Sequence, residues 1–126
     1  MNPKLIQILD SIESRLSKSD VIAFKVGKTE NAHARFNVEE YNEYDYAQVI
    51  ATGKCSDISK AENDLIEHFK KHSTLCKKCV NEKSGSAGNP NATQLYIVAQ
   101  GPCPEDPKDR LLEKSKLLEN FTPVIL

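Results

Sequence analysis

No apolar run in this chain approaches the length needed to cross a bilayer, and no basic leader with an apolar core opens it. The expectation is a cytoplasmic protein with no membrane partner. An excess of either charge is also missing. Lys and Arg number 17 against 18 Asp and Glu, for a formal net charge of −1. That balance argues against strong non-specific nucleic-acid binding, which comes with a basic domain, and leaves only a local basic face open. Internal repeats are absent. Cysteine is sparse, and Cys76 and Cys79 form one CxxC with no second to match it. In a reducing cytoplasm the four cysteines, Cys55, Cys76, Cys79 and Cys103, are thiols or metal ligands rather than disulfides. Gly27-Lys28-Thr29 lacks the partner glycine of a nucleotide-binding P-loop, because position 22 is Ile22.

What remains is enough for one domain. The 126 residues are 39% hydrophobic and 28% charged, in keeping with a globule of modest core. Asn2 and Pro3 start a helix, and Leu5, Ile8, Leu9, Ile12 and Leu16 recur on one face of it to about Ser17. Ile22, Phe24 and Val26 alternate with Ala23, Lys25 and Gly27, which predicts a strand over 21–27 ended by Gly27. Thr29 to Asn31 cap a short helix through Arg35. Residues 36–44 read as a helix end and loop. A second strand spans Tyr46 to Thr52, bounded by Gly53. Ser56, Asp57 and Ser59 offer caps for a helix whose apolar face is Ile58, Ala61, Leu65, Ile66 and Phe69, ending near His72. Residues 73–93 lack periodicity, with a small-residue loop at 84–91. A third strand follows at 94–99. Asp106 and Pro107 start a last helix carrying Leu111, Leu112, Leu117 and Leu118, and the tail from Phe121 to Leu126 is apolar. The tail is expected to pack on the body or to form a homodimer contact. The predicted fold class is α/β (α+β): a small, mostly antiparallel three-stranded sheet flanked by helices. Its parts would be an N-terminal helix in 1–20, a core in 21–99, and a C-terminal helix and tail in 100–126.

Taken by spacing alone, Gly27 ends a strand and Arg35 lies on the helix that follows. A guanidinium so mounted matches two phosphate oxygens at once; the alternative is a solvated helix face. Lys25 shares a strand face with Gly27 by alternation. Glu62 has two readings, since Ser59-x-x-Glu62 also has the spacing of a capping box.

Lys25-Val26-Gly27-Lys28-Thr29 followed by Arg35 resembles the second half of the GIY-YIG nuclease signature. Residues 59–69 resemble that family's second helix, and the likeness covers roughly residues 21–70. The resemblance implies a DNA phosphodiesterase with Arg35 at the phosphate, Gly27, Lys28 and Thr29 in the substrate-binding turn, and Glu62 holding Mg²⁺ or Mn²⁺. Lys25 stands where the family often has its second tyrosine. No Gly-Ile-Tyr precedes Val21, and a helix occupies its place. Gln94-Leu95-Tyr96-Ile97-Val98 is similar to the missing first strand. A permuted arrangement would lay it beside 21–27 and bring Tyr96 to orient or deprotonate the attacking water; otherwise Tyr96 is an ordinary strand aromatic. The family's late Asn has three candidates, Asn63, Asn81 and Asn89.

His68, His72, Cys76 and Cys79 form a second candidate site. Two histidines one turn apart and a CxxC would make a tetrahedral Zn²⁺ site tying helix to loop, with Cys55 or Cys103 able to replace one His. Reduced thiols beside a wet, lysine-rich helix end are the alternative. The basic run from Lys70 to Lys83 would touch a nucleic-acid backbone or simply face solvent. The functions in view are thus a metal-dependent endonuclease, a catalytically weakened relative that binds nucleic acid or a protein, and a small zinc-stabilised interaction module.

Overall fold

The structure is a computed structural model that describes residues 1–81, 90–101 and 114–126. Helix α1 spans Pro3–Leu16. Asn2 caps it, its side chain accepting from the Lys4 backbone N–H at 2.9 Å, and Pro3 takes the first helical position. Leu5, Ile12 and Leu16 are buried, with Ile8 and Leu9 packed beside them. Ile6 falls outside that stripe and is exposed.

The sheet contains β1 (Ala23–Thr29), β2 (Tyr46–Thr52), β3 (Gln94–Gln100) and β4 (Val124–Ile125), in the order β1-β3-β2-β4. The three long strands are antiparallel neighbours, and β4 adds a short parallel pairing to β2. The sheet is therefore one strand wider than the periodicity showed, and the apolar tail supplies that strand. Phe121, Val124 and Leu126 of the tail pack against the core.

Strand β3 is central, and every residue from Leu95 to Ala99 is buried. A strand covered on both faces reads as a continuous apolar run, as this one does. Its alternation divides the interior. Leu95, Ile97 and Ala99 join Phe24, Val26 and Ile50 in the main core beneath α1 and α3 (Cys55–Lys71). Tyr96 and Val98 face the other way, into a smaller cluster with Tyr41, Tyr44, Ala47, Phe36 and Val38. That second face is covered by α2 (Ala32–Phe36) and a 3₁₀ turn at Glu39–Tyr41.

Two helix expectations need correction. Helix α3 begins at Cys55, with Lys54 at its N-cap and no side-chain cap bond. Ser59 is therefore inside the helix, and the capping-box explanation of Glu62 lapses. The last helix does not reach Leu117 and Leu118. Ser115 instead makes a parallel bridge to Tyr46, and the Leu118 N–H donates to Gln48 Oε1 at 2.6 Å. Backbone pairing to β2 outcompetes helical spacing there. The start of that helix, at 106–113, lies outside the described residues.

The outer edge of β1 is covered by residues 78–81. The Phe24 N–H donates to Lys78 O and the Val80 N–H to Phe24 O, each at 2.9 Å. Next along, the Asn81 side chain does the work of a peptide group: Oδ1 accepts from the Val26 N–H and Nδ2 donates to the Val26 carbonyl, both at 2.9 Å. Lys78 also donates to the carbonyls of Leu16 and Lys18, so this member of the basic run caps the end of α1. No helix among the described residues is long and apolar enough to cross a membrane.

Candidate functional site

Helix α2 is short, so its position depends on its first turn. The Asn31 side chain accepts from the Ala34 N–H at 3.1 Å, and Gln94 Oε1 on β3 accepts from the Ala32 N–H at 2.8 Å. Thr29 Oγ1 accepts from the Asn31 N–H at 3.1 Å. These bonds fix α2 to β1 and β3 and so aim Arg35. Thr29 is itself buried.

In the register of the sheet, Tyr96 lies opposite Gly27 on β1 and opposite Val49 on β2. The tyrosine ring lies across β1 at Gly27. A Cβ built there would overlap the Tyr96 hydroxyl and Cζ, so only glycine admits the ring. The Tyr96 hydroxyl meets the Tyr41 hydroxyl at 2.6 Å, and Arg35 Nε donates to it at 3.4 Å. The Arg35 guanidinium carbon stands 4.9 Å from the centre of the Tyr41 ring, and Lys25 Nζ stands 5.8 Å from the same centre. Both distances fall within cation–π range. Burial, then the bond to Tyr41, pushes the Tyr96 phenol far above its ordinary value. Tyr96 is thus a neutral hydrogen-bonding group at physiological pH and not a ready base. The Tyr96 bond raises the Arg35 pKa further, so its charge is permanent. An exposed contact to Glu40 at 3.9 Å adds little to its placement.

Glu62 occupies the middle of α3 and is only 5% exposed. Its Oε1 has no hydrogen-bond partner. Burial raises its pKa to about 7, against the opposing pull of Lys28 and Lys25. Lys25 therefore lies within electrostatic reach of Glu62 and over Tyr41 as well. Glu62 itself lies on α3, across the sheet from the Arg35–Tyr96–Tyr41 group, and makes no ion pair with Lys25. Lys28 Nζ donates to Ser59 Oγ at 3.0 Å on the α3 side. A buried, unpartnered carboxylate oxygen calls for a reason. One carboxylate, with water and phosphate oxygens completing the shell, suits a hard divalent cation such as Mg²⁺ or Mn²⁺.

A stability test follows from that carboxylate. The native pKa near 7 exceeds the ordinary 4.5, so the folded state holds the proton more tightly than the unfolded chain. The corresponding stability is complete below about pH 4.5 and is lost as pH rises through about 7. Roughly 1–3 kcal/mol is at stake, the upper figure applying without solvent screening. Urea unfolding at pH 5 and pH 8 should show this loss in the wild type and not in Glu62→Gln. Equal pH slopes would refute it.

The zinc expectation does not survive the geometry. His68 Nε2 contacts Glu13 Oε1 at 2.5 Å, and His72 Nδ1 accepts the backbone N–H groups of Thr74 and Leu75. The Cys79 thiol is turned to Asn81 Oδ1 at 3.6 Å, and burial pushes its pKa up, away from the thiolate a metal needs. Among the described residues, no three His, Cys, Asp or Glu side chains are grouped to hold a metal. His68, His72, Cys76 and Cys79 thus do not form a site, because α1 supplies an acidic partner that the spacing did not reveal. Cys103 lies outside the described residues.

Of the Asn candidates, Asn81 completes β1, Asn63 has a buried Oδ1 without a partner, and Asn89 lies outside the described residues. Sequence reasoning missed Tyr41. It falls in an aperiodic polar segment, and only the 3₁₀ turn carries it to Tyr96.

This is a small α+β protein with a guanidinium, a lysine and two linked phenols grouped on one sheet face. The chain belongs to the T5orf172 domain family, whose model matches residues 7–92. That family is related to the GIY-YIG and homing-endonuclease-like nuclease fold. The match includes Lys25, Gly27, Arg35, Tyr41 and Glu62 and stops short of β3, which carries Tyr96. No curated protein and no solved structure matches the chain.

Proposed function

We propose that this protein is a GIY-YIG-like endonuclease that hydrolyses DNA phosphodiester bonds with Mg²⁺ or Mn²⁺. The observation that supports the reading is the grouping of Arg35, Tyr96, Tyr41 and Lys25 on one sheet face. Glu62 lies on α3 across the sheet and is linked to that group only through the charge of Lys25. Arg35 and Lys25 would neutralise the phosphoryl oxygens, where negative charge grows in the transition state. The Tyr96 hydroxyl, held by Tyr41 and Arg35, would orient the attacking water. Glu62 would hold the cation, which when bound supplies Lewis-acid polarisation of the phosphate. The central β3 strand stands in for the missing upstream strand of the nuclease signature, and Tyr41 provides the second phenol that Lys25 displaces.

A non-cleaving, nucleic-acid-binding relative is the second reading. It is favoured by the buried, protonated Tyr96, which leaves the site without an evident base.

Nicking of supercoiled plasmid separates the two. Wild-type protein with Mg²⁺ or Mn²⁺ should convert it to open circles, chelator should stop the reaction, and Glu62→Ala should slow it roughly a hundredfold. Equal nicking by wild type and Glu62→Ala would show a contaminant and defeat the nuclease reading. Binding without nicking by the wild type would select the second reading.

A further inference from the structure

A cavity of about 290 Å³ opens on the same sheet face as Tyr96, one strand further across. Val49 is part of its lining, and Val49 is the cross-strand partner of Tyr96. Adjacent strands lie about 4.8 Å apart, so the cavity and the phenol cluster are neighbours. Phe36 joins them: it lines the cavity and meets the Tyr96 ring edge-on at 5.3 Å between centroids. Phe121 supplies a second aromatic wall. Asn37 keeps its amide oxygen free, its Nδ2 donating to the His33 carbonyl at 2.7 Å, and Gln48 keeps its amide nitrogen, its Oε1 accepting from the Leu118 N–H. Lys114 and Lys116 supply the positive charge. No acidic side chain is among the described lining residues, in a chain where acids outnumber bases.

The chemistry of this lining selects its occupant. Aromatic walls suit a flat ring, amides read its hydrogen-bonding edge, and a cationic rim without carboxylates suits a ligand joined to phosphate. The volume lies at the low end for ligand pockets, enough for one such ring. We infer that this cavity receives a single unstacked nucleobase of the strand whose phosphate lies at Arg35. The inference rests on the proposed nucleic-acid site and adds its substrate preference. The protein would favour DNA with an unpaired or single-stranded nucleotide beside the contacted phosphate. Taking a base from an intact stack costs free energy that an unpaired base does not.

The test reads binding, not cleavage. Short single-stranded DNA carrying one 2-aminopurine is titrated with protein in chelator, and both fluorescence and affinity are recorded. Wild-type protein should raise the emission severalfold as the base leaves its neighbours. Val49→Phe, which fills the cavity, should abolish the rise and weaken binding roughly fivefold or more. Lys116→Glu, at an exposed position, should weaken binding about threefold, so the inference does not depend on one variant folding. An emission rise of the same size in wild type and Val49→Phe, or none in wild type, would overturn the inference. Arg35→Ala keeps the outcomes apart. If it alone abolishes binding while both cavity variants match wild type, the phosphate site stands and the base pocket falls. If wild type binds no DNA at all, both fall.

Discussion

Arg35→Ala should reduce plasmid nicking by roughly a hundredfold or more while leaving the fold nearly unchanged. Removing one well-placed donor from a charge-stabilising site commonly costs about two to three powers of ten in rate. Here the lost group is also the only guanidinium on the Tyr96 cluster among the described residues. Its structural duties are slight: a long bond to Tyr96, a cation–π contact and an exposed contact to Glu40. The loss of stability should therefore stay under about 1 kcal/mol. Arg35→Lys tests the geometry, since it keeps the charge and loses the planar fork. It should recover part of the activity, leaving a deficit of about tenfold. If Arg35→Ala nicks at the wild-type rate with the metal requirement intact, the guanidinium has no part in the chemistry.

Gly27→Ala should damage stability and activity together. The added methyl would occupy the place of the Tyr96 ring, which is buried and held between Phe36 and Tyr41. Overpacking of this kind costs about 1–3 kcal/mol. A displaced hydroxyl no longer meets Arg35 and Tyr41, and misplacement by about 1 Å can lower a rate around a hundredfold. Pairing the change with Tyr96→Phe separates the two effects. Removing the hydroxyl relieves part of the overlap, so the double variant should regain stability relative to Gly27→Ala and remain inactive. Urea midpoints and nicking rates would check both. Wild-type stability in Gly27→Ala would mean that the ring does not lie on the strand.

The long elements were legible because burial imposes a period. The stripe on α1, the alternation in β1 and the apolar face of α3 each report one covered surface. Gly27 could be marked as unusual, but its reason lay 69 positions away in Tyr96, on a strand that the register alone brings alongside. Tyr41 had no signal, because a 3₁₀ turn has neither helical nor strand period. The start of α3 was misplaced because Ser and Asp in its first turns advertise caps, whereas Lys54 takes the cap position with none. The zinc set failed for a related reason. Spacing within 68–79 cannot show that Glu13, from a different helix, engages His68.

The carboxamide of Asn81 has a consequence for how the chain can be altered. Residues 78–81 occupy the flank of β1 that would otherwise offer free amide and carbonyl groups to a neighbour. A version of the chain in which residues 78–81 were replaced by an unstructured link would keep β1, β2 and β3 and bare that flank. It would tend to stack into fibrillar or precipitated material, however faithfully its remaining residues were copied. The short run that follows the 3₁₀ turn at Leu75–Lys77 is thus a guard rail for solubility, and any minimal version of the domain should retain it.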